Sequence, residues 1–188
     1  MESDRERWDR KYGQQASDEM PAAPDEFVLR ALEALGPPDA GSRALDLASG
    51  RGRHALELAR RGWRTAAWDV SPVGLEQLEE RAREAGLEVE TRCVDLRREF
   101  PPGLGEPYDL VVIVNFLERP MLPLLHQLVR PGGHLVFTTF TRDHPREKPP
   151  MRFRLERGEL GRGLPGLETR LHEEAEGRAG LLAERTMR

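Results

Sequence analysis

Cysteine, lysine and asparagine are nearly absent from this chain of 188 residues. The single cysteine, Cys93, rules out an internal disulfide and is typical of a reducing compartment. The net charge is −4, so the chain as a whole is not a polycation. Its charge therefore does not favour a general role on nucleic acid or on a membrane surface.

Long apolar runs are missing as well. No stretch approaches the roughly 20 apolar residues of a membrane-spanning helix, and the charged start, MESDRERWDRKYG, lacks the apolar core of a signal peptide. We therefore expect a cytoplasmic protein with no membrane partner. His126, His134 and His172 are scattered without a ligand-pairing spacing, so we expect no metal site.

Apolar strands and amphipathic helices alternate regularly along most of the chain. Strands are predicted at 43–48, 63–70, 87–96, 108–117 and 134–140. Helices are predicted at 25–35, at 52–62, from the N-cap Ser71 to Gly86, and at 121–130. Such alternation indicates an α/β fold with a parallel, doubly wound sheet, in which Cys93 is expected to point into the core.

The end of the chain has a different pattern. Pro131-Gly132-Gly133 is predicted to turn the chain into the last parallel strand, and two alternating stretches around Gly177 predict a terminal antiparallel hairpin. We find no internal repeat and expect one domain over 1–188. Its predicted parts are an N-terminal segment (1–40), a core (43–140), and a loop with the terminal hairpin (141–188).

The stretch ALDLASGRGRHALELARRG (44–62) concentrates small residues and an acid at the end of the first strand. Ligands of open parallel sheets bind at the carboxyl ends of the strands, where this turn lies. Gly50 and Gly52 allow close approach to the backbone, and the following helix offers free N–H groups to an anion. Asp46 would repel a pyrophosphate there but would attract the ammonium of an amino acid.

Two more acids end the next strands. Asp69 is placed to accept both hydroxyls of a ribose, and Asp95 is placed to accept from an adenine amino group. S-adenosylmethionine contains amino acid, ribose and adenine in line and fits all three acids. The alternative ligand is NAD, because GRGRHA satisfies G-x-G-x-x-A. Against NAD, Asp46 stands where dinucleotide folds have an apolar residue, and Asp95 has no evident role.

The blocks LDLASGRGRHALELARRG, WDVS, VDL, YDLVVIVNFL and LVRPGGHLVFTTF resemble, in order and spacing, those of class I S-adenosylmethionine-dependent methyltransferases. Ala48 replaces the first glycine of the family's acid-x-Gly-x-Gly-x-Gly block. The resemblance implies a Rossmann-like, mostly parallel seven-stranded sheet with a C-terminal antiparallel hairpin, and S-adenosyl-L-methionine as cofactor. It implies cofactor contacts from Asp46, Ala48, Ser49, Gly50, Gly52, Asp69, Val70, Asp95, Leu96 and Asn115.

Two shorter segments, RWDRKY and HP…FRLERGEL, resemble the small tellurite-resistance and thiopurine-methyltransferase branch of that family. This resemblance implies that Trp8 and Tyr12 belong to a lid that folds over the cofactor. Their spacing of four residues also suits ordinary helix packing. Both interpretations, lid and helix packing, therefore stay open.

Methyl transfer from a sulfonium needs in-line placement and exclusion of water more than it needs an acid, so we predict no indispensable catalytic residue. The polar groups expected near the acceptor are Tyr12, Asn115, Arg142, Asp143 and His144. We expect a small-molecule acceptor. A basic excess over 142–157 would attract an anionic one, although a solvated loop of mixed charges is the commoner explanation of such a segment, and the resemblance to the tellurite-resistance branch adds a metalloid acceptor as an option. The alternatives are an NAD oxidoreductase, a non-catalytic nucleotide-binding protein, and an RNA or protein methyltransferase.

Overall fold

The computed structural model describes residues 3–14, 23–100, 106–147 and 149–187. The chain divides into two compact units, Met1–Pro102 and Gly103–Arg188. Within the described ranges, no helix is long and apolar enough to cross a membrane. The single domain expected over 1–188 stays a prediction.

The first unit contains three parallel strands and their helices. In chain order these are α1 (Asp4–Gln14), α2 (Glu26–Leu35), β1 (Arg43–Leu47), α3 (Arg53–Arg60), β2 (Arg64–Asp69), α4 (Pro72–Glu84), β3 (Val89–Cys93) and α5 (Leu96–Glu99). Strand β2 lies between β1 and β3 and pairs in parallel with both. The strands and helices predicted for this unit are thus confirmed, with ends that differ by a few residues.

The chain folds this way because helices α3 and α4 each carry an apolar stripe that covers the sheet. Leu56 of α3 and Leu75 and Leu78 of α4 form one buried cluster with Ala67 of β2. Ser71 caps α4, since its hydroxyl oxygen accepts a hydrogen bond from Gly74 N at 3.1 Å. These contacts fix the carboxyl ends of β1 and β2, from which the candidate site is built.

The second unit contains four strands. In chain order its elements are β4 (Tyr108–Val114), a 3-10 helix (Arg119–Leu128), β5 (Val129–Phe140), short 3-10 helices at Met151–Phe153 and Leu160–Arg162, β6 (Leu167–Ala175) and β7 (Arg178–Arg185). Strands β4 and β5 are parallel, whereas β7 is antiparallel to both β5 and β6. The predicted hairpin is confirmed, and Gly177 supplies the positive φ, 76°, in its turn.

The helix predicted at 121–130 is present as a 3-10 helix, and Pro123 inside it has no N–H to donate to an α-helical ladder. Two other sequence interpretations are wrong. Pro131-Gly132-Gly133 does not precede β5 but lies inside it, where the pairing shifts between Tyr108 and Leu110. Cys93 is exposed instead of buried, on a strand whose side chains are half-buried or exposed.

Candidate functional site

The turn between β1 and α3 takes a left-handed backbone at three positions. Ala48 has φ 58°, Gly50 φ 54° and Gly52 φ 74°. A Cβ on Gly52 would collide with the Leu78 side chain, and a Cβ on Gly50 would lie 2.5 Å from the Tyr12 hydroxyl. The two glycines are therefore required by the chain's own helices, which pack directly onto this turn.

Asp46 stands at the end of β1 and is only 1% exposed. Its Oδ2 accepts a hydrogen bond from Ala55 N at 2.9 Å, so the carboxylate caps the amino end of α3. Burial raises the pKa of Asp46 to about 7, although the hydrogen bond from Ala55 lowers it. The acid that the sequence singled out is thus a helix cap with a strongly perturbed pKa.

Asp69 stands at the end of β2 and is also buried. One carboxylate oxygen accepts from Gly50 N at 2.8 Å, and the other accepts from Ser71 N at 2.9 Å. Burial raises its pKa. Asp69 therefore ties the glycine turn to the start of α4.

The end of β3 adjoins this pair of strand ends. Val94 N donates to the Asp69 carbonyl at 2.8 Å. Asp95 caps α5 by accepting from Arg97 N at 3.1 Å, and Leu96 next to it is buried. The Val70 carbonyl accepts from Arg5 Nε of α1 at 3.4 Å. The predicted residues of all three strands thus lie at one edge of the first unit.

Helix α1 covers that edge. The Tyr12 ring packs against Gly74, its hydroxyl faces Gly50, and the residue is 5% exposed. Trp8 stacks on Tyr12 with ring centroids 5.4 Å apart. Ser71 donates its hydroxyl hydrogen bond to Asp9 of α1. Tyr12 therefore lies on the glycine turn, whereas Trp8 packs on Tyr12; that either covers a cofactor stays a prediction.

Several buried polar atoms around the turn have no hydrogen-bond partner among the described residues. They are the Ser49 hydroxyl, Nε and Nη1 of Arg51, and Oε1 of Gln77. Arg51 is 9% exposed, although it lies in a turn. Orphaned buried groups are costly, so this cluster indicates a polar ligand. Arg51 carries no signal of this kind in the sequence, because an arginine between two glycines is usually a solvated side chain.

Asn115 belongs to the second unit, where it follows β4 with φ 58°. Its backbone N–H donates to the Thr138 carbonyl at 2.9 Å, and its side-chain oxygen accepts from Arg178 Nη1 at 3.1 Å. The positive φ and these two bonds fix an exposed amide side chain directly after a buried strand. Its contact with a cofactor stays a prediction.

A cavity of about 800 Å³ opens in the second unit beside the loop after β5. It is lined by Thr141, Asp143, Pro145, Arg157, Gly158, Glu174, Ala175, Glu176 and Gly177. Of the residues expected near an acceptor, Asp143 lines this cavity. Arg142 is not among the lining residues and pairs with Glu156 at 2.7 Å, and His144 packs against Phe140 with centroids 4.6 Å apart.

Two basic residues of this loop, Arg142 and Arg154, are used inside the loop itself. Arg154 is buried and donates to the carbonyls of Pro149 at 2.7 Å and His144 at 2.9 Å. The cavity itself is lined by three acidic residues and one arginine, Arg157. Its charge therefore differs from the positive field that the sequence suggested.

Comparison with known proteins shows what this chain resembles. The methyltransferase domain family matches residues 44–133. The ubiquinone biosynthesis O-methyltransferase of Pseudomonas syringae pv. tomato is 31% identical over 114 residues, covering 55% of this chain and 47% of that enzyme. The predicted resemblance to class I S-adenosylmethionine-dependent methyltransferases is confirmed.

The predicted fold class is also confirmed. TehB from Haemophilus influenzae matches with a TM-score of 0.72 at 21% identity, over 97% of this chain and 67% of that chain. An S-adenosylmethionine-dependent methyltransferase from Aquifex aeolicus matches with a TM-score of 0.64 at 19% identity, over 84% and 89%. The shared fold is α/β and Rossmann-like, with seven mostly parallel strands and antiparallel C-terminal strands.

These matches support S-adenosylmethionine as the cofactor, and the residues of the first unit fit it. The carboxylate of S-adenosylmethionine needs hydrogen-bond donors, which Ser49 and Arg51 offer. Its ammonium needs acceptors such as Gln77 Oε1. The chain spans about half the length of the curated relatives it matches. Membership of the tellurite-resistance and thiopurine branch stays a prediction.

Proposed function

We propose that this protein is an S-adenosylmethionine-dependent methyltransferase that acts on a small-molecule acceptor. The observation that carries the proposal is the glycine turn within the matched segment. There, two perturbed carboxylates, a helix amino end and orphaned donors occur side by side. A dinucleotide phosphate would meet Asp46 and Asp69 at this turn, which disfavours NAD.

In this proposal the residues that the sequence singled out would hold the cofactor. Asp46, Ala48, Ser49, Gly50 and Gly52 would surround its amino-acid end; Asp69 and Val70 would contact the ribose; Asp95, Leu96 and Asn115 would contact the adenosine side. Both oxygens of Asp69 already accept backbone N–H groups, so the ribose would use the remaining lone pairs. Trp8 and Tyr12 would cover the bound cofactor from α1.

When bound, the cofactor supplies a methyl group on a sulfonium, which an acceptor takes by in-line displacement. The chain has to orient the two molecules and exclude water, and Tyr12 is suited to the second task because it is buried over Gly50. No side chain of the described ranges is assigned as a general base. An acceptor that arrives unprotonated at its nucleophile needs none.

A narrower proposal concerns the acceptor, which the sequence predicts to be anionic or metalloid. Arg157 is the one arginine on the cavity after β5, and Asp143, Glu174 and Glu176 oppose it. The prediction thus rests on the sequence of the loop rather than on the cavity. An assay of anionic, neutral and cationic acceptors with radiolabelled methyl donor decides between these charge classes.

The experiment that tests the main proposal is calorimetric titration with S-adenosylhomocysteine and, separately, with NAD. We expect saturable binding of the first and none of the second. Binding of NAD alone would favour the oxidoreductase alternative, and salt-dependent binding of RNA would favour an RNA methyltransferase. A cytoplasmic location and the absence of nucleic-acid, membrane and metal partners are part of the proposal.

A further inference from the structure

Arg51 is a buried cation without a matching anion. Its side chain is 9% exposed, and Nε and Nη1 have no hydrogen-bond partner within the described ranges. A guanidinium cannot lose its proton in a protein, so it cannot escape burial by becoming neutral. Its burial therefore calls for a partner that the described residues do not provide.

A second guanidinium lies next to it. Arg81 of α4 donates from Nη1 to the Arg51 carbonyl at 3.0 Å. Burial lowers the pKa of Arg81, and the charge of Arg51 lowers it further. The charges of Arg51 and Arg81 repel each other, and Glu84 offsets this repulsion only at Arg81, so an anion at Arg51 would be stabilising.

The two buried acids at the neighbouring strand ends are committed elsewhere. Asp46 accepts from the amide of Ala55, and Asp69 accepts from the amides of Gly50 and Ser71. No ion pair joins either carboxylate to Arg51 among the described residues. What remains near Arg51 is the orphaned hydroxyl of Ser49 and the amino end of α3, two residues further along.

We propose that Arg51, together with the Ser49 hydroxyl, binds an oxyanion beside the glycine turn. The forked guanidinium and a hydroxyl donor suit the two oxygens of a carboxylate. Two sources share this chemistry: the carboxylate of the cofactor and an anionic acceptor. Binding of the cofactor's carboxylate rests on the proposed function. Binding of an anionic acceptor leaves open which residues hold the amino-acid end of the cofactor.

The test compares the native chain with Arg51→Gln and Arg51→Lys. Calorimetry measures the affinity of S-adenosylhomocysteine, which has the carboxylate, and of 5′-methylthioadenosine, which lacks the whole amino-acid end. Thermal unfolding with inorganic phosphate measures oxyanion binding without any nucleoside. Arg60→Gln is the control, because Arg60 lies on α3 with a side chain 52% exposed and its ion pair to Glu57 is long, 3.9 Å.

If the oxyanion is the cofactor's carboxylate, Arg51→Gln binds S-adenosylhomocysteine at least about tenfold more weakly. 5′-Methylthioadenosine then binds both chains within about twofold, Arg51→Lys falls between them, and Arg60→Gln behaves as the native chain. If the oxyanion belongs to an acceptor, Arg51→Gln keeps its affinity for S-adenosylhomocysteine. It loses the rise in melting temperature that phosphate gives the native chain.

The proposal is overturned if Arg51→Gln keeps both the native affinity for S-adenosylhomocysteine and the native response to phosphate. It is also overturned if Arg51→Gln unfolds while a folded Arg51→Lys binds both probes as the native chain does, since the arginine is then structural. A native chain that binds phosphate through Arg51 but not S-adenosylhomocysteine supports this inference and refutes the proposed function. A native chain that binds neither probe refutes both.

Discussion

At the scale of the residue, Ala48 holds a conformation that glycine adopts without strain. Its φ of 58° costs a residue with a Cβ about 1–2 kcal/mol, whereas glycine loses roughly 0.5–1 kcal/mol through its freer unfolded chain. We therefore expect Ala48→Gly to raise the free energy of unfolding by about 0.5–1 kcal/mol. Ala59→Gly in α3 is the control and should lower it by about 1 kcal/mol. Urea unfolding measures the free energy of unfolding of both variants. Equal losses of stability in the two would show that the Ala48 backbone is not strained.

A second residue-scale prediction concerns the buried carboxyl of Asp46. Its pKa is raised from 3.8 to about 7 by burial, so the folded chain holds a proton that the unfolded chain has lost between those values. Ionisation therefore favours unfolding over that window. Asp46→Asn keeps an acceptor for Ala55 N and cannot ionise. The free energy of unfolding of the variant minus that of the native chain should therefore rise by up to about 1.4 kcal/mol per pH unit from pH 4 to 7.

Urea unfolding of the ligand-free chains at several pH values measures that difference. Other titrating groups affect the native chain and the variant alike, so only the contribution of Asp46 remains. A difference that does not change between pH 4 and pH 7 would show that the Asp46 carboxyl titrates as an ordinary surface acid.

The sequence predicted the acids at the strand ends better than the cations. Asp46 and Asp69 stand out because acids that end apolar strands are unusual, and both are buried in the structure. Arg51 could not be found in this way, because burial of one long side chain depends on how α1 and α4 fold over the turn. Cys93 was misplaced for a related reason, since alternation along β3 does not reveal that its faces stay accessible.

At the scale of the element, helix α1 depends on the small size of Gly50. A methyl group there would lie 2.5 Å from the Tyr12 hydroxyl. We expect Gly50→Ala to loosen α1 and to raise the hydrogen-exchange rate of its amides, with α3 little affected. In a Tyr12→Phe background the same change should cost less, because the hydroxyl is gone.

The double-mutant cycle separates this contact from the backbone strain at Gly50, whose φ of 54° is the same in both backgrounds. If the costs of Gly50→Ala and Tyr12→Phe simply add, backbone strain at position 50 alone explains the effect of Gly50→Ala. Tyr12 then does not pack on the turn as described.

Elements with a regular period were predicted well, and irregular ones were not. Ser71-Pro72 marks the start of α4 because the cap and the proline act locally. The 3-10 helix at Arg119–Leu128 has the apolar spacing of an α-helix, and only its hydrogen bonds distinguish the two. The irregular pairing of β5 depends on its neighbour β4, which no local pattern reveals.

At the scale of the whole molecule, ligand binding should appear as stability. A ligand that binds only the folded chain adds about 2.7 kcal/mol to the free energy of unfolding at a hundredfold excess over its Kd. We expect S-adenosylhomocysteine to have this effect and NAD to have none. Denaturant unfolding with each ligand measures it, and equal shifts with both would argue for an unspecific nucleotide site.

The alternation of strands and helices was enough to predict the fold class, since few architectures satisfy it. The cavity after β5 could not be predicted, because it is built from loop residues and the hairpin. Loops carry specificity, and their conformation is set by side-chain contacts such as those of Arg154.

The stacking of Trp8 on Tyr12 has a practical consequence. The indole also lies under the Lys11 ammonium, 4.2 Å from its ring centroid. Indole emission depends on such neighbours, so the protein carries an intrinsic fluorophore on the helix that covers the glycine turn. With Trp63 and Trp68 replaced by phenylalanine, fluorescence would report on the surroundings of α1 as a ligand is added, without an attached dye.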